Sequence, residues 1–515
     1  MKEKFAEDIA QSYTFKGDSI FLGCGFYDHQ VDPKARVFLP LKMFNRHGLI
    51  AGATGTGKTK TLQVIAEQLS KKGVSSLLLD IKGDLSGIAA EGVDNPKIQE
   101  RHQILAEPWN AKLNTVEFLT ISDQPGTRLR ATVSEFGPVL LSKILGLNDT
   151  QQGVVALIFK YCDDRAFPLL DLEDLKKVLQ YISNEGKEEI IKEFGSVSST
   201  SVGTILRKII ELEQQGAAIF FGERSFEVED LVRTDREGNG MISILRAVDI
   251  QDKPKFFSTF MLQILAEIYS KFPEAGDLDK PKLVLFLDEA HLLFEEATPA
   301  LMDQMTTIIK LIRSKGIGVI FITQNPIDIP AEVLSQLGLK IQHALRAFTA
   351  KDRKAIKQAA ENYPETEYYD VSQIITELGI GEALVTALSE KGTPTALVHA
   401  MLRAPESRMD ILTDSEIQNL IRKSEIADYY NETINRESAE EILSKKLEEL
   451  RESMPDEPEP RGRSARPEKS TVEKVLGSTT ARSLGNTVVR EVTRGLMGML
   501  GIKTRATTRK KTTWF

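Results

Sequence analysis

Three glycines set between an apolar run and a lysine–threonine pair constrain this chain more than any other stretch. The segment His47 to Thr61 reads His-Gly-Leu-Ile-Ala-Gly-Ala-Thr-Gly-Thr-Gly-Lys-Thr-Lys-Thr. Leu49, Ile50 and Ala51 suit the end of a buried strand. Gly52, Gly55 and Gly57 let the backbone curl until its N–H groups face one point. A helix expected from Lys58 to Ser70 aims the positive end of its dipole at that same point. A strand, such a loop and a helix in that order form a cradle for a polyphosphate. The expected nucleotide-binding residues are therefore Gly52, Ala53, Thr54, Gly55, Thr56, Gly57, Lys58, Thr59 and Lys60. Lys58 would reach the β- and γ-phosphates of ATP, and Thr59 would ligate Mg2+.

Three further apolar runs end in polar residues, and the carboxyl ends of parallel strands are where open α/β sheets place their chemistry. Val74 to Leu79 runs into Asp80-Ile-Lys-Gly-Asp84. Asp80 is placed for catalysis, with capping of the following turn as the plain alternative. Leu283 to Leu287 runs into Asp288 and Glu289. Asp288 would hold Mg2+ beside Thr59, and Glu289 would orient or deprotonate the attacking water. Ile317 to Thr323 runs into Gln324, which would sense the γ-phosphate or else only begin the turn at Asn325-Pro326. Asp288-Glu-Ala-His291 spells a DEAH box, but the paired-arginine segment expected of those helicases is absent from the sequence.

Around these strands the chain divides by texture. Residues 1–47 read as a short β-element. Residues 48–93 and 217–405 read as the α/β core, and 94–216 as a mainly helical insertion whose apolar stripes are packing faces. Residues 406–454 read as a charged, solvated helical region, 455–470 as a disordered linker, and 471–515 as a basic amphipathic tail. Charge follows the same division. The net charge is −8, but Arg461 to Phe515 holds 13 Lys/Arg against 3 Asp/Glu, so a tail of +10 hangs from a body of −18. An acidic body argues against gripping nucleic acid over the whole surface. No apolar run approaches a membrane span, and Cys24 and Cys162 stand in no ligand spacing. A cytoplasmic protein with no integral membrane association and no cysteine metal site is expected.

Taken together, His47-Gly-x-Ile-x-Gly-x-Thr-Gly-x-Gly-Lys-Thr, Asp80-x-Lys-Gly-Asp, Asp288-Glu-Ala, Arg313-x-x-Gly-Ile-Gly-Val with Gln324-x-Pro326, and Gly381-Glu-Ala-Leu-Val resemble the HerA/FtsK superfamily of hexameric motor ATPases. Within it the chain is most similar to the bacterial HerA-like, YjgR-type ATPases, over roughly residues 20–405. The resemblance implies a RecA-like P-loop core carrying the helical insertion, and a homo-oligomeric, hexameric ring. It implies an ATPase site of Lys58, Thr59, Asp80, Asp288, Glu289 and Gln324, with ATP and Mg2+ as cofactors. An arginine would reach into the neighbouring subunit's site, Arg313 being the first candidate and Arg346 the second. Two functions stay open at this stage: an ATP-driven motor acting on DNA, and an ATP-switched protein that engages a protein partner.

Overall fold

The computed structural model describes residues 2–452, apart from 277, 295–298, 348, 390 and 435. Its described residues divide into two units, 2–130, 215–220 and 224–433 forming one, and 131–214, 221–223 and 434–452 the other.

The first unit is built on one twelve-stranded sheet. Its strands are β1 (Ser19–Tyr27), β2 (Gln30–Pro40), β3 (Gly48–Ala51), β4 (Ser75–Asp80), β5 (Val116–Thr120), β6 (Thr127–Arg128), β7 (Ile242–Arg246), β8 (Leu283–Leu287), β9 (Ile317–Thr323), β10 (Leu339–Gln342), β11 (Glu382–Thr386) and β12 (Val398–Leu402). Their spatial order is β2-β1-β12-β11-β10-β3-β9-β8-β4-β7-β5-β6. From β10 to β6 all neighbours are parallel, and from β10 to β2 all are antiparallel. The sequence pattern explains the division. β3, β4, β8 and β9 are buried at every residue, as parallel strands covered on both faces must be. Helices Lys58–Lys71, Pro254–Lys271 and Pro299–Ile312 make three of the crossovers between them. Helix Pro254–Lys271 alone buries Phe256, Phe257 and Phe260.

The strands of the leader belong to the core sheet. β1 pairs with β12, Gly23 opposite Leu402, so residues from the two ends of the core extend one sheet. Gly23 is required there, because a Cβ would lie 2.0 Å from the Met401 carbonyl oxygen. A helix unread in the sequence, Lys2–Ser12, buries Phe5 and Ile9 on this extension. Just past it, the Tyr13 hydroxyl donates to the Val385 carbonyl at 2.9 Å.

The helical unit begins at Ala131 rather than at residue 94. Residues 96–130 contribute helix Pro96–Ile104, β5 and β6 to the first unit, because Val116 to Thr120 pairs in register with β7. The helical unit comprises Val133–Ile144, Asp149–Arg165, Leu172–Ser183, Lys187–Phe194, Ser199–Gln214 and Ala439–Glu452. The last of these is not the solvated helix its charge predicts. Ala439 and Leu443, four residues apart on one face, are fully buried. The Glu440 N–H caps onto Asp174 Oδ1 at 2.7 Å. The expected linker and basic tail lie outside the described residues. Among the described residues no helix is long and apolar enough to cross a membrane.

His47, the residue that opens the glycine-rich stretch, is buried with φ 54°, a conformation costly for a side chain of this kind. Its ring holds it there. Nε2–H donates to the Ile309 carbonyl at 2.8 Å, and Nδ1 accepts the Val319 N–H at 3.0 Å, so helix Pro299–Ile312 and β9 are pinned to the start of β3. The bond accepted at Nδ1 needs the neutral ring, and burial pushes the ring's pKa down to about 4 against the Ile309 bond. Burial does the same to His343, also to about 4. An unfolded histidine protonates below about pH 6.5, while these two stay neutral, so the unfolded state takes up more protons between 6.5 and 4. Against the opposite slope of the raised Asp80 and Asp288 carboxyls, the contribution of these two histidines to folding stability is therefore full above pH 6.5 and falls as pH drops towards 4. His47→Gln, which cannot charge, should flatten that slope in denaturant titrations. An unchanged slope would remove His47 as its source.

Candidate active site

Register in the parallel region assembles the site. β3 lies between β9 and β10, with Ala51 opposite Thr323 and Gln342. β8 lies between β9 and β4, with Leu287 opposite Phe321 and Leu79. Four strand ends therefore open on one edge of the sheet and carry the glycine-rich loop, Gln324, Asp288-Glu289 and the segment from Asp80 to Asp84.

The loop curls as its glycines predict. Gly52, Gly55 and Gly57 have φ of 153°, 77° and 113°. Gly52 also admits a close neighbour, since a Cβ there would fall 2.5 Å from His343 Cβ. The backbone is tied down on both sides. Ala53 N–H donates to the Ala344 carbonyl at 2.8 Å, and Gly381 N–H donates to the Thr56 carbonyl at 3.1 Å. That second bond gives the Gly381-Glu-Ala segment its place, beside the loop. Thr54 and Gly55 form an exposed tip. Lys58 is buried and donates to the Gly52 carbonyl at 2.7 Å and the Ala53 carbonyl at 3.2 Å, so its ammonium sits inside the curl. Burial lowers its pKa, the nearby Lys82 charge adds to that, and Asp288, Glu289 and Asp84 oppose it. Lys60 points elsewhere, to the Met409 carbonyl at 2.6 Å.

The acidic residues divide into distinct roles. Thr59 Oγ1 donates to Asp84 Oδ2 at 3.1 Å, which leaves the hydroxyl's lone pairs available to a cation. Asp84 Oδ1 is buried with no hydrogen-bond partner. Asp288 is buried and accepts the Glu289 N–H at 2.9 Å. Burial pushes the Asp288 carboxyl up to about 6, with the Lys82 charge pulling the other way. Thr59, Asp84 and Asp288 are hard oxygen donors of the kind Mg2+ takes, usually together with water and substrate phosphates. Among the described residues no group of three or more His, Cys, Asp or Glu could hold a metal by itself. A cation here would be shared with a bound nucleotide.

Glu289 stands at φ 47°, ψ 47°, a left-handed conformation, with its carboxylate buried. It pairs with the Lys82 ammonium and lies 3.2 Å from His291 Nδ1. Asp80 is a different case. Its Oδ1 accepts the N–H groups of Gly83 at 2.8 Å and Asp84 at 3.0 Å, and Oδ2 faces that of Leu85 at 3.4 Å. Burial, with the Asp84 charge adding to it, pushes the Asp80 carboxyl up to about 7 against these bonds. Asp80 therefore caps the turn that presents Lys82 and Asp84, the plain alternative read from sequence. Lys82 and Asp84, both in the Asp80-x-Lys-Gly-Asp segment, join the expected residues at this edge of the sheet.

Gln324 is exposed directly after β9, where the Gly52 N–H reaches the Thr323 carbonyl at 3.2 Å. The two arginines part company. Arg346 follows β10 on the loop side of the sheet, and its guanidinium donates to the Thr376 carbonyl at 3.0 Å. Arg313 precedes β9, with its charge felt at His47. At about 3.3 Å per residue, β9 carries Arg313 roughly 20 Å from the loop of its own chain.

A sequence profile of the family described as Helicase HerA-like C-terminal matches residues 27–505. A probable helicase of Methanocaldococcus jannaschii is 23% identical over 388 residues, 68% of this chain and 65% of that protein. The DNA double-strand break repair helicase HerA of Sulfolobus acidocaldarius is 22% identical over 389 residues, 74% of this chain and 69% of that protein. The chain thus spans about two thirds of the length of these relatives. Among solved structures, the plasmid coupling protein TrwB in complex with ADP and Mg2+ is similar in fold, with a TM-score of 0.53 and 13% identity over 79% of this chain and 95% of that one.

Proposed function

We propose, from the premise that this chain belongs to the HerA-like C-terminal helicase family, that it is a Mg2+-dependent ATPase whose hydrolysis drives a ring-shaped motor on DNA. The observation that carries the hydrolytic part is the juxtaposition of Glu289 with the loop. A binding protein needs the loop and Lys58. A hydrolase also needs a carboxylate near the terminal phosphate to position water.

In this reading the backbone N–H groups from Gly52 to Thr59 and the start of helix Lys58–Lys71 bind the phosphates of ATP. Lys58 turns from the Gly52 and Ala53 carbonyls to the β- and γ-phosphates. Thr59, Asp84 and Asp288 hold Mg2+, which would offset the charge developing on the phosphate oxygens. Glu289 accepts a hydrogen bond from the attacking water and takes its proton as the bond to the γ-phosphorus forms and the bond to the β–γ bridging oxygen breaks. Gln324, one strand from the loop, reports the presence of the γ-phosphate. Asp80 acts through the turn it caps.

Ring assembly would bring an arginine to the site of the next subunit. Arg313, far from its own loop, suits that role better than Arg346, which stands on its own loop's side of the sheet. The experiment for DNA coupling is the ATPase rate with double- and single-stranded DNA at two salt concentrations. A motor that neutralises several phosphates loses DNA stimulation steeply as salt rises. The body charge of −18 favours a second reading, an ATP-switched protein with a protein partner. Turnover indifferent to DNA at low salt would select that reading.

A further inference from the structure

β4 and β8 run in parallel with Leu79 opposite Leu287. Three residues beyond the one and two beyond the other, Lys82 and Glu289 meet. The Lys82 ammonium pairs with Glu289 Oε1, and the two are unequally placed: the lysine side chain is 32% exposed, the glutamate 4%. Glu289 is fixed by burial and by its own backbone conformation. Lys82 stands on a four-carbon stem in front of Gly83, a position with φ 77°. Burial works against the Lys82 charge, yet Glu289, Asp288 and Asp84 together hold the ammonium above its ordinary range. The same charge is felt at Lys58. Lys82 therefore shares one electrostatic neighbourhood with Lys58, Asp84, Asp288 and Glu289.

A carboxylate engaged by a full positive charge is a poorer proton acceptor than a free one. The terminal phosphate of ATP would bring more negative charge than one carboxylate into the space between Lys58 and Lys82.

We propose that Lys82 is a second phosphate-engaging, catalytic lysine, exchanged between the Glu289 carboxylate and the terminal phosphate of ATP, so that the arrival of that phosphate frees Glu289 to act on water. This rests on the ATPase reading above and adds a residue to it. The contact with the γ-phosphate makes Lys82 a discriminator of ATP from ADP, and the exchange links Glu289 to ATP affinity.

The test is equilibrium binding of ADP and of a non-hydrolysable ATP analogue, with Mg2+, to the full chain and to Lys82→Met, Lys82→Arg, Glu289→Gln and the Lys82→Met/Glu289→Gln double variant. Lys82→Met should bind ADP as wild type does and lose on the order of tenfold in its preference for the ATP analogue, the scale of one charged hydrogen bond. Lys82→Arg should recover part of the preference. Glu289→Gln should tighten the ATP analogue when Lys82 is present and leave it unchanged in the Lys82→Met background. An unchanged ATP-to-ADP preference in Lys82→Met would make Lys82 a mere charge balance for Glu289 and overturn the exchange alone. Loss of ADP together with ATP would make it a support of the loop and overturn it equally. A wild-type chain that binds neither nucleotide overturns the nucleotide reading, and the exchange with it.

Discussion

Glu289→Gln is expected to bind Mg·ATP at least as tightly as the wild type and to hydrolyse it about a hundredfold or more slowly, the range for losing a general base. The two side chains have the same shape, so the strained backbone at Glu289 and the packing around it survive the change. The amide cannot take a proton from water, and it no longer holds Lys82 by charge. Binding and turnover should therefore separate. Fluorescent-nucleotide titration and single-turnover phosphate release measure the two independently. A variant that hydrolyses at the wild-type rate would remove Glu289 from the chemistry and leave a nucleotide-binding loop without a base.

Lys58→Ala should abolish both. Lys58 is seated inside the curl of the loop, where it donates to the Gly52 and Ala53 carbonyls. Its removal takes the positive charge from the β/γ-phosphate position. It also takes the donor from the buried Gly52 carbonyl oxygen, while the Ala53 carbonyl keeps the Thr56 hydroxyl at 2.7 Å, and this loosens the loop. Loss of one positioned donor at a developing phosphate charge costs about a hundredfold to a thousandfold in turnover, and weaker binding multiplies that loss. Phosphate release at saturating and at low ATP, with the variant's melting temperature as a control for folding, checks the expectation. Turnover within a few-fold of wild type would move the hydrolytic site away from this loop.

What the sequence revealed and what it hid divide along the range of the forces involved. The curl from Gly52 to Thr59 was legible because the conformation, the donors and the helix end are all set within a dozen consecutive residues. Asp288 and Glu289 were legible because five apolar residues must end at a sheet edge. The distinction between Asp80 as a capping residue and Lys82 and Asp84 as site residues was not legible. It depends on β4 lying beside β8 with Leu79 opposite Leu287, a register set by packing across the sheet. The union of the leader with β12 was hidden for the same reason, since it joins residues nearly 380 positions apart. The burial of Ala439 and Leu443 was masked by the charges flanking them.

In the proposed function this loop and Glu289 together hydrolyse ATP with Mg2+. This central claim is tested most directly by phosphate release from ATP, measured side by side on the wild type with Mg2+, the wild type with EDTA, and Lys58→Ala with Mg2+. Steady release in the first, and none above background in the other two, is the predicted result. Equal release from Lys58→Ala, or no release from the wild type while it binds ATP, would contradict it.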